Sequence, residues 1–222
     1  MNASTPLLEI DHLFVEIQSM PALRGFSMHV AQGAMVSLVG RNGAGKTTLM
    51  RSIMGHLKPA QGAIRFEGAD LSARPRHARA ALGIGYMPED RGLVPQLTVE
   101  ENILLPLWVA RHLNRKARLD FIYAVIGELA EMRHCKALQL SGGQQKLVAL
   151  GRALGIGTRC LLLDEPFEGI APALSERLSE VLASLKGKDL TFLMSQSDMN
   201  HSHGLIDFEF TIERGANLAA RH

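Results

Sequence analysis

This chain of 222 residues lacks several things, and each lack removes a class of function. It has only two cysteines, Cys135 and Cys160, far apart in sequence. Both read as reduced packing residues more than as a disulfide, which fits a cytoplasmic setting. It has no excess of charge: 24 Lys and Arg stand against 22 Asp and Glu, a formal net charge of +2. That balance gives no ground for a nucleic-acid partner. It has no apolar run near the ~20 residues that a membrane-spanning helix needs. Its opening, MNASTPLLEIDH, lacks a basic segment followed by a long apolar one, so no secretory signal is expected. Repeats and low-complexity segments are also missing. What is there, with 46% hydrophobic residues, suffices for a sizeable core in one domain, or one domain with a large insertion.

Strand and helix patterns alternate at both ends of the chain. LLEI and LFVEI read as two short strands, and AMVSLVG (34–40) as a buried strand stopped by glycine. KTTLMRSIMGHL (46–57) has helical spacing, with Leu49, Ile53 and Leu57 on one face. GAIRFEG (62–68) and RCLLLDEP (159–166) read as strands, and PALSERLSEVLASLKG (172–187) as an amphipathic helix. LTFLMSQ and DFEFTIERG close the chain as strands. Residues 98–150 look mainly helical, with breaks near Pro106 and at LSGG. The pattern predicts a mostly parallel α/β sheet with an inserted helical subdomain.

GRNGAGKT (40–47) fits G-x-x-x-x-G-K-[ST], with a strand before it and a helix after it. Gly40, Gly43 and Gly45 allow a loop that aims N–H groups at phosphate oxygens, and Arg41, Asn42 and Ala44 complete it. The helix N-terminus at Lys46, Thr47 and Thr48 adds partial positive charge. Lys46 reaches the β- and γ-phosphates, and the Thr47 hydroxyl can ligate Mg²⁺. Asp164 and Glu165 end the CLLLDE strand. At the C-terminal edge of a parallel sheet they sit beside such a loop. Asp164 can then hold Mg²⁺ through water, and Glu165 can accept a proton from an attacking water. The plainer reading, solvated turn carboxylates, fits a wholly apolar strand less well.

LSGGQQK (140–146) raises a different question, because a second glycine-rich phosphate grip has no second phosphate to hold within one chain. Alone it would be read as a helix N-cap. GRNGAGKTT, LSGGQQK and CLLLDEP in this order resemble the ATP-binding subunits of ABC transporters, over almost the whole chain. The resemblance implies an ABC ATPase fold: a RecA-like P-loop core with a small antiparallel β subdomain (1–88 and 151–222) and a helical subdomain at about 89–150. It also implies that Ser141, Gly142, Gly143 and Gln144 cap ATP held by the P-loop of a second ATPase subunit, the same chain or a relative. Membrane-spanning permease subunits, and indirectly a periplasmic or extracellular substrate-binding protein, would complete the assembly at the cytoplasmic face of the membrane.

Within the family, YMPEDRG, LTVEENI and GIAP resemble the LivF-type ATPases of branched-chain amino acid importers. The resemblance puts Glu89 where ABC subunits usually carry a glutamine, near the phosphates and Mg²⁺. It puts Gln196 where they carry a γ-phosphate-sensing histidine, and Ala171 where many carry aspartate. Gln196 can donate a hydrogen bond but carries no positive charge, which predicts slow hydrolysis. Ile17 takes the place of the aromatic residue that stacks on adenine. Import of urea, amides or aromatic acids stays open, as does a weakly hydrolysing, structural half of a heterodimer. A soluble ABC ATPase working on ribosomes or DNA would carry two cassettes or a long coiled-coil insertion, and this sequence has neither.

Three weaker signals remain. His201 and His203 are two apart and read as surface residues before a metal pair. RPRHARAAL (74–82) reads as a basic, solvated helix face. Leu93, Val94 and Leu107 look exposed, on a segment that in the family receives a helix of the membrane subunit; about half of such residues are expected in the core.

Overall fold

The computed structural model describes residues 6–197 and 204–218; His201 and His203 lie outside the described residues. An antiparallel sheet of order β2-β1-β4-β5 is built from β1 (Leu8–Ile17), β2 (Met20–Val30), β4 (Gln61–Phe66) and β5 (Ala69–Asp70). The two short strands expected at the start are one. Asp11 and His12 leave the ladder with β2, His12 at φ 43°, and that pairing resumes at Leu13, while Asp11 stays paired with Ala63 of β4. A bulge absorbs an extra residue without ending the strand. β2 did not read as a strand because it carries Pro21 and Gly25. The tight turn at Gln18 and Ser19, both at positive φ, folds it back on β1.

The second sheet has the order β10-β9-β3-β8-β7-β6. β3 (Met35–Val39), β6 (Ile84–Met87), β7 (Cys160–Asp164), β8 (Thr191–Gln196) and β9 (Phe208–Glu213) run parallel, and β10 (Ala216–Asn217) pairs antiparallel at the edge. β7 and β8 are buried at every position, as covered parallel strands require. Alternation along these strands feeds two cores. Val36, Leu38, Leu162 and Leu193 pack with the antiparallel sheet and α1 (Lys46–Ile53). Met35, Leu161, Leu163, Phe192 and Met194 pack with the helical layer on the other face.

That layer holds α3 (Val99–Leu104), α4 (Arg115–Val125), α5 (Gly127–Glu131), α6 (Gly142–Ile156) and α7 (Pro172–Leu185). The expected boundary at residue 150 falls inside α6, which packs on both α3 and β6 and so ties the helical segment to the core. α1 stops before Leu57. Gly55 turns left-handed at φ 74°, and the N–H groups of Gly55 and His56 return to the carbonyls of Ser52 and Arg51.

Several surface expectations change. In the basic run, α2 (Ala78–Ala81) is short and Arg79 is buried, donating to the carbonyls of Ile53, Leu71, Arg74 and Pro75. It satisfies the end of α1 instead of facing solvent. Leu107 is fully buried, while Trp108 and Val109 are the exposed apolar residues there. Cys160 is buried, its thiol pushed up to about 12 by desolvation, but Cys135 is exposed and is no packing residue. Among the described residues no helix is long and apolar enough to cross a membrane.

Candidate active site

The parallel sheet assembles the site at the C-terminal ends of three neighbouring strands, β3, β8 and β7. β3 delivers the loop 40–45 to the N-terminus of α1. Gly45 holds φ 112°, a conformation that side chains with a Cβ rarely adopt, and this turns the chain into the helix. Lys46 is 5% exposed. Its ammonium donates to the carbonyls of Gly40 at 2.5 Å and Arg41 at 3.3 Å. It also pairs with Glu165 Oε1 at 2.9 Å.

β7 delivers Asp164 and Glu165. Asp164 is fully buried. It accepts from Ser195 Oγ at 2.6 Å and from Thr47 Oγ1 and Tyr86 Oη, each at 3.3 Å. Burial raises its carboxyl above the usual range, the three hydrogen bonds oppose this, and neighbouring Glu165 adds to it. The Tyr86 phenol is also raised, by burial first and then by Asp164. Glu165 sits at φ 47° with its N–H on Ser195 Oγ at 3.0 Å.

The third strand brings a correction. At the position facing Lys46 and Glu165 the structure places Ser197, not Gln196. Ser197 Oγ is 3.1 Å from Lys46 Nζ, 2.6 Å from Glu165 Oε1 and 2.8 Å from Asn42 Oδ1, and its N–H donates to Glu165 Oε2 at 3.1 Å. Gln196 is 2% exposed, and its amide nitrogen donates to Ser37 Oγ at 3.1 Å. The reason is the pleat. Ser195 and Ser197 share one face at the end of β8, and the residue between them faces the other way. Two serines at i and i+2, ending a parallel strand beside β7, were the available signal.

A cavity of about 340 Å³ opens over this cluster, lined by Ala22, residues 42–43, 45–48, Glu89 and Glu165. Glu89 is exposed, and its carboxyl is raised by partial burial first and then by Asp164, Glu168 and Glu165. Ile17 does not line the cavity. It sits 41% exposed at the hairpin tip, paired with Met20, while β2 runs inward and brings Ala22 to the wall. A second cavity, about 660 Å³, leads away from Thr47, Asp164 and Glu89 past Arg51, His56 and Arg152.

The segment 141–144 lies apart from that cavity, at the N-terminus of α6. Ser141 Oγ accepts from the Gln144 N–H at 3.2 Å, and Gln144 Oε1 accepts from the Ser141 N–H at 2.9 Å. The cap read from LSGG alone is therefore present as a complete capping box. Gly143 has a packing role as well, since a Cβ there would meet Leu174 of α7 at 2.2 Å. Arg91 stands against Gly142 and donates to Gln145 Oε1 at 2.8 Å.

The donor set suits a hard divalent cation. Thr47 and Asp164 offer a hydroxyl and one buried carboxylate side by side. Mg²⁺ asks for one or two carboxylates and completes its shell with phosphate and water.

The family model described as ABC transporter matches residues 23–168. The chain belongs to the ABC transporter family. It is 32% identical over 209 residues to BraG of Pseudomonas aeruginosa, a high-affinity branched-chain amino acid transport ATP-binding protein, covering 94% of this chain and 90% of that one. It is 31% identical over 219 residues to LptB of Acidithiobacillus ferridurans, a lipopolysaccharide export system ATP-binding protein, covering 96% and 89%. Among solved structures, the ADP conformation of MJ1267, an ATP-binding cassette of an ABC transporter, superposes with a TM-score of 0.83 at 28% identity, covering 97% and 91%. As an ABC ATPase, the chain binds ATP and couples its hydrolysis to transport with membrane permease subunits. BraG and LptB stand at nearly equal identity, so the comparisons fix the family and not the cargo.

Proposed function

We propose that this chain energises an importer for branched-chain amino acids or related small solutes, with Glu165 as the base that accepts a proton from the attacking water. The observation that carries the catalytic reading is the convergence of Lys46, Glu165 and Ser197 beside Thr47 and Asp164. The buried Lys46–Glu165 pair leaves neither charge uncompensated. An arriving γ-phosphate offers Lys46 a stronger partner and frees the Glu165 carboxylate to orient water. The Ser197 hydroxyl, 3.1 Å from Lys46 Nζ, would donate to that phosphate. Thr47 and Asp164 would hold Mg²⁺, with Glu89 reaching it through water, and the ion would neutralise charge on the phosphate oxygens. The base of the nucleotide would extend past Ala22 toward Ile17, which offers apolar contact without stacking.

Segment 141–144 would serve the phosphate of a second ATPase subunit. Its exposure and its absence from the lining of the chain's own phosphate cavity support this reading. The importer reading rests on the likeness to BraG and on PEDR, LTVEENI and GIAP; lipopolysaccharide-type export is its rival through LptB. One observation favours a second reading, a slow subunit in a heterodimer: the group that faces Lys46 and Glu165 is the Ser197 hydroxyl, which is neutral.

Light scattering of Glu165→Gln with and without ATP tests the assembly. A dimer that forms only with ATP supports completion by a second copy. A chain that binds ATP and stays monomeric points to a different ATPase subunit. Uptake of labelled leucine after deletion of the gene tests the cargo: unchanged uptake sinks the branched-chain assignment.

A further inference from the structure

The lysine that ends LSGGQQK is not used by any reading above, and its surroundings are unusual. Lys146 lies on α6 and is 4% exposed. Its ammonium donates to the carbonyls of Glu165 at 2.9 Å and Pro166 at 3.2 Å, and to that of Glu168. An ammonium has three donors, and these contacts match all three. Among the described residues Lys146 makes no ion pair, since its partners are main-chain oxygens. Burying this charge is costly even with the carboxylates of Glu168, Glu165 and Glu89 near enough to favour it, and an apolar side chain of similar length would fill the same space without that cost. Packing alone therefore does not account for a lysine here.

The carbonyls it holds belong to the turn that sets Glu165. This residue is left-handed at φ 47°, a region that residues with a Cβ enter only when the surroundings impose it. Both sides of the residue are fixed. Its N–H is held by Ser195 Oγ at 3.0 Å and its C=O by Lys146. The Glu168 N–H closes the turn on the Glu165 carbonyl at 3.2 Å.

We propose that Lys146 is a positioning residue for hydrolysis: its ammonium clamps the 165–168 turn and, with Ser195 on the opposite side, holds Glu165 in the left-handed conformation that aims its carboxylate at Lys46 and Ser197. The inference rests on the reading of Glu165 as the base. It has a consequence for coupling. Lys146 lies one turn along α6 from Gly142, so the segment offered to the partner's ATP is tied to the segment that serves this chain's own ATP.

The test is Lys146→Met, which keeps an unbranched side chain and removes the ammonium. Nucleotide affinity and KM should stay within about twofold, because the phosphate loop is untouched. The kcat should fall on the order of tenfold to a hundredfold, the scale of a misplaced catalytic group. Hydrogen exchange at the Glu165 and Glu168 amides should quicken. Added to Glu165→Gln, Lys146→Met should lower the residual single-turnover rate by less than about twofold, since its effect passes through that side chain. A wild-type kcat, or an equal loss in both backgrounds, overturns the clamp. Loss of the ATP-driven dimer of Glu165→Gln also overturns it, by showing that the lysine serves the partner contact. Wild-type turnover by Glu165→Gln itself would sink the reading of the base, a separate failure. Lys146→Gln, which keeps a single amide donor group, is the second variant should the methionine not fold, and it must show the same kcat, KM and exchange pattern in weaker form.

Discussion

Two glycine-rich helix N-termini meet phosphate in this reading, and they wait for it in opposite ways. At α1 the lysine of the N-terminus is buried, and this cation is held by an acidic side chain, Glu165, that the phosphate must displace. At α6 the N-terminus is exposed, and the N–H groups of Ser141 and Gln144 are taken by a capping box made from their own side chains. The first site is an electrostatic lock, and opening it releases the very group that hydrolysis needs. The second is a local cap, worth about as much as any other helix cap. Phosphate should therefore bind first at α1, and the α6 end should matter once a second subunit delivers an occupied loop.

The sharpest way to break this comparison is Glu165→Gln. Removal of a general base costs about 10²- to 10⁴-fold in rate. Because the amide no longer holds Lys46 as an ion, ATP affinity should stay the same or rise. Turnover measured beside equilibrium nucleotide binding decides the matter, and a parallel loss of binding would contradict the lock. Next in size is Ser197→His, which supplies a donor able to carry charge where the structure places a hydroxyl. Turnover should rise on the order of tenfold, while Gln196→His, buried against Ser37, should not raise it and should destabilise the fold. Equal gains from both variants would mean that the strand register assigned to β8 is wrong.

Asp164→Asn separates stability from activity at the first site. Burial raises the Asp164 carboxyl in the folded chain. The unfolded chain ionises first as pH rises, so folding loses stability between the ordinary carboxylate value and the raised one, and the loss persists above it. The neutral amide removes this loss. Its Tm should exceed that of the parent by a few degrees at neutral pH, and the gain should vanish below the ordinary carboxylate range. Hydrolysis should collapse in the same variant for want of the metal-binding carboxylate. Thermal melting across pH, with turnover alongside, checks both halves.

Much of this was legible in the sequence where one residue type answers one physical demand. β3, β7 and β8 showed as unbroken apolar runs because both faces of a covered parallel sheet are buried. Lys46, Thr47, Asp164 and Glu165 stood out because grips for phosphate and Mg²⁺ use those groups at those spacings, and the structure brings the four together. The misses share a different cause. Ser197 and Gln196 are adjacent, and only the pleat at the end of β8 says which of them faces Glu165. β2 hid behind Pro21 and Gly25, and the bulge at His12 made β1 look like two strands. Arg79 read as surface charge and Lys146 as the cationic end of a phosphate grip, since a lysine or arginine that satisfies buried carbonyls is a fact of tertiary contact and leaves no local pattern.

The smallest expected effect tests the other side of the comparison. Ser141→Ala removes the acceptor for the Gln144 N–H and half of the capping box at α6. Such a loss costs about 1 kcal/mol, or about 2–4 °C in Tm for a chain of this size. If the α1 site works alone in capturing nucleotide, ATP binding by the isolated chain should be unchanged within error. The deficit should surface in the nucleotide-driven dimer of the Glu165→Gln background, where the serine hydroxyl would have to leave Gln144 for a phosphate oxygen. A drop in ATP affinity of the single chain would mean that the two N-termini communicate within one molecule before any partner arrives. The 15-residue α6, capped by Ser141 and carrying Lys146, would then be the element that transmits it.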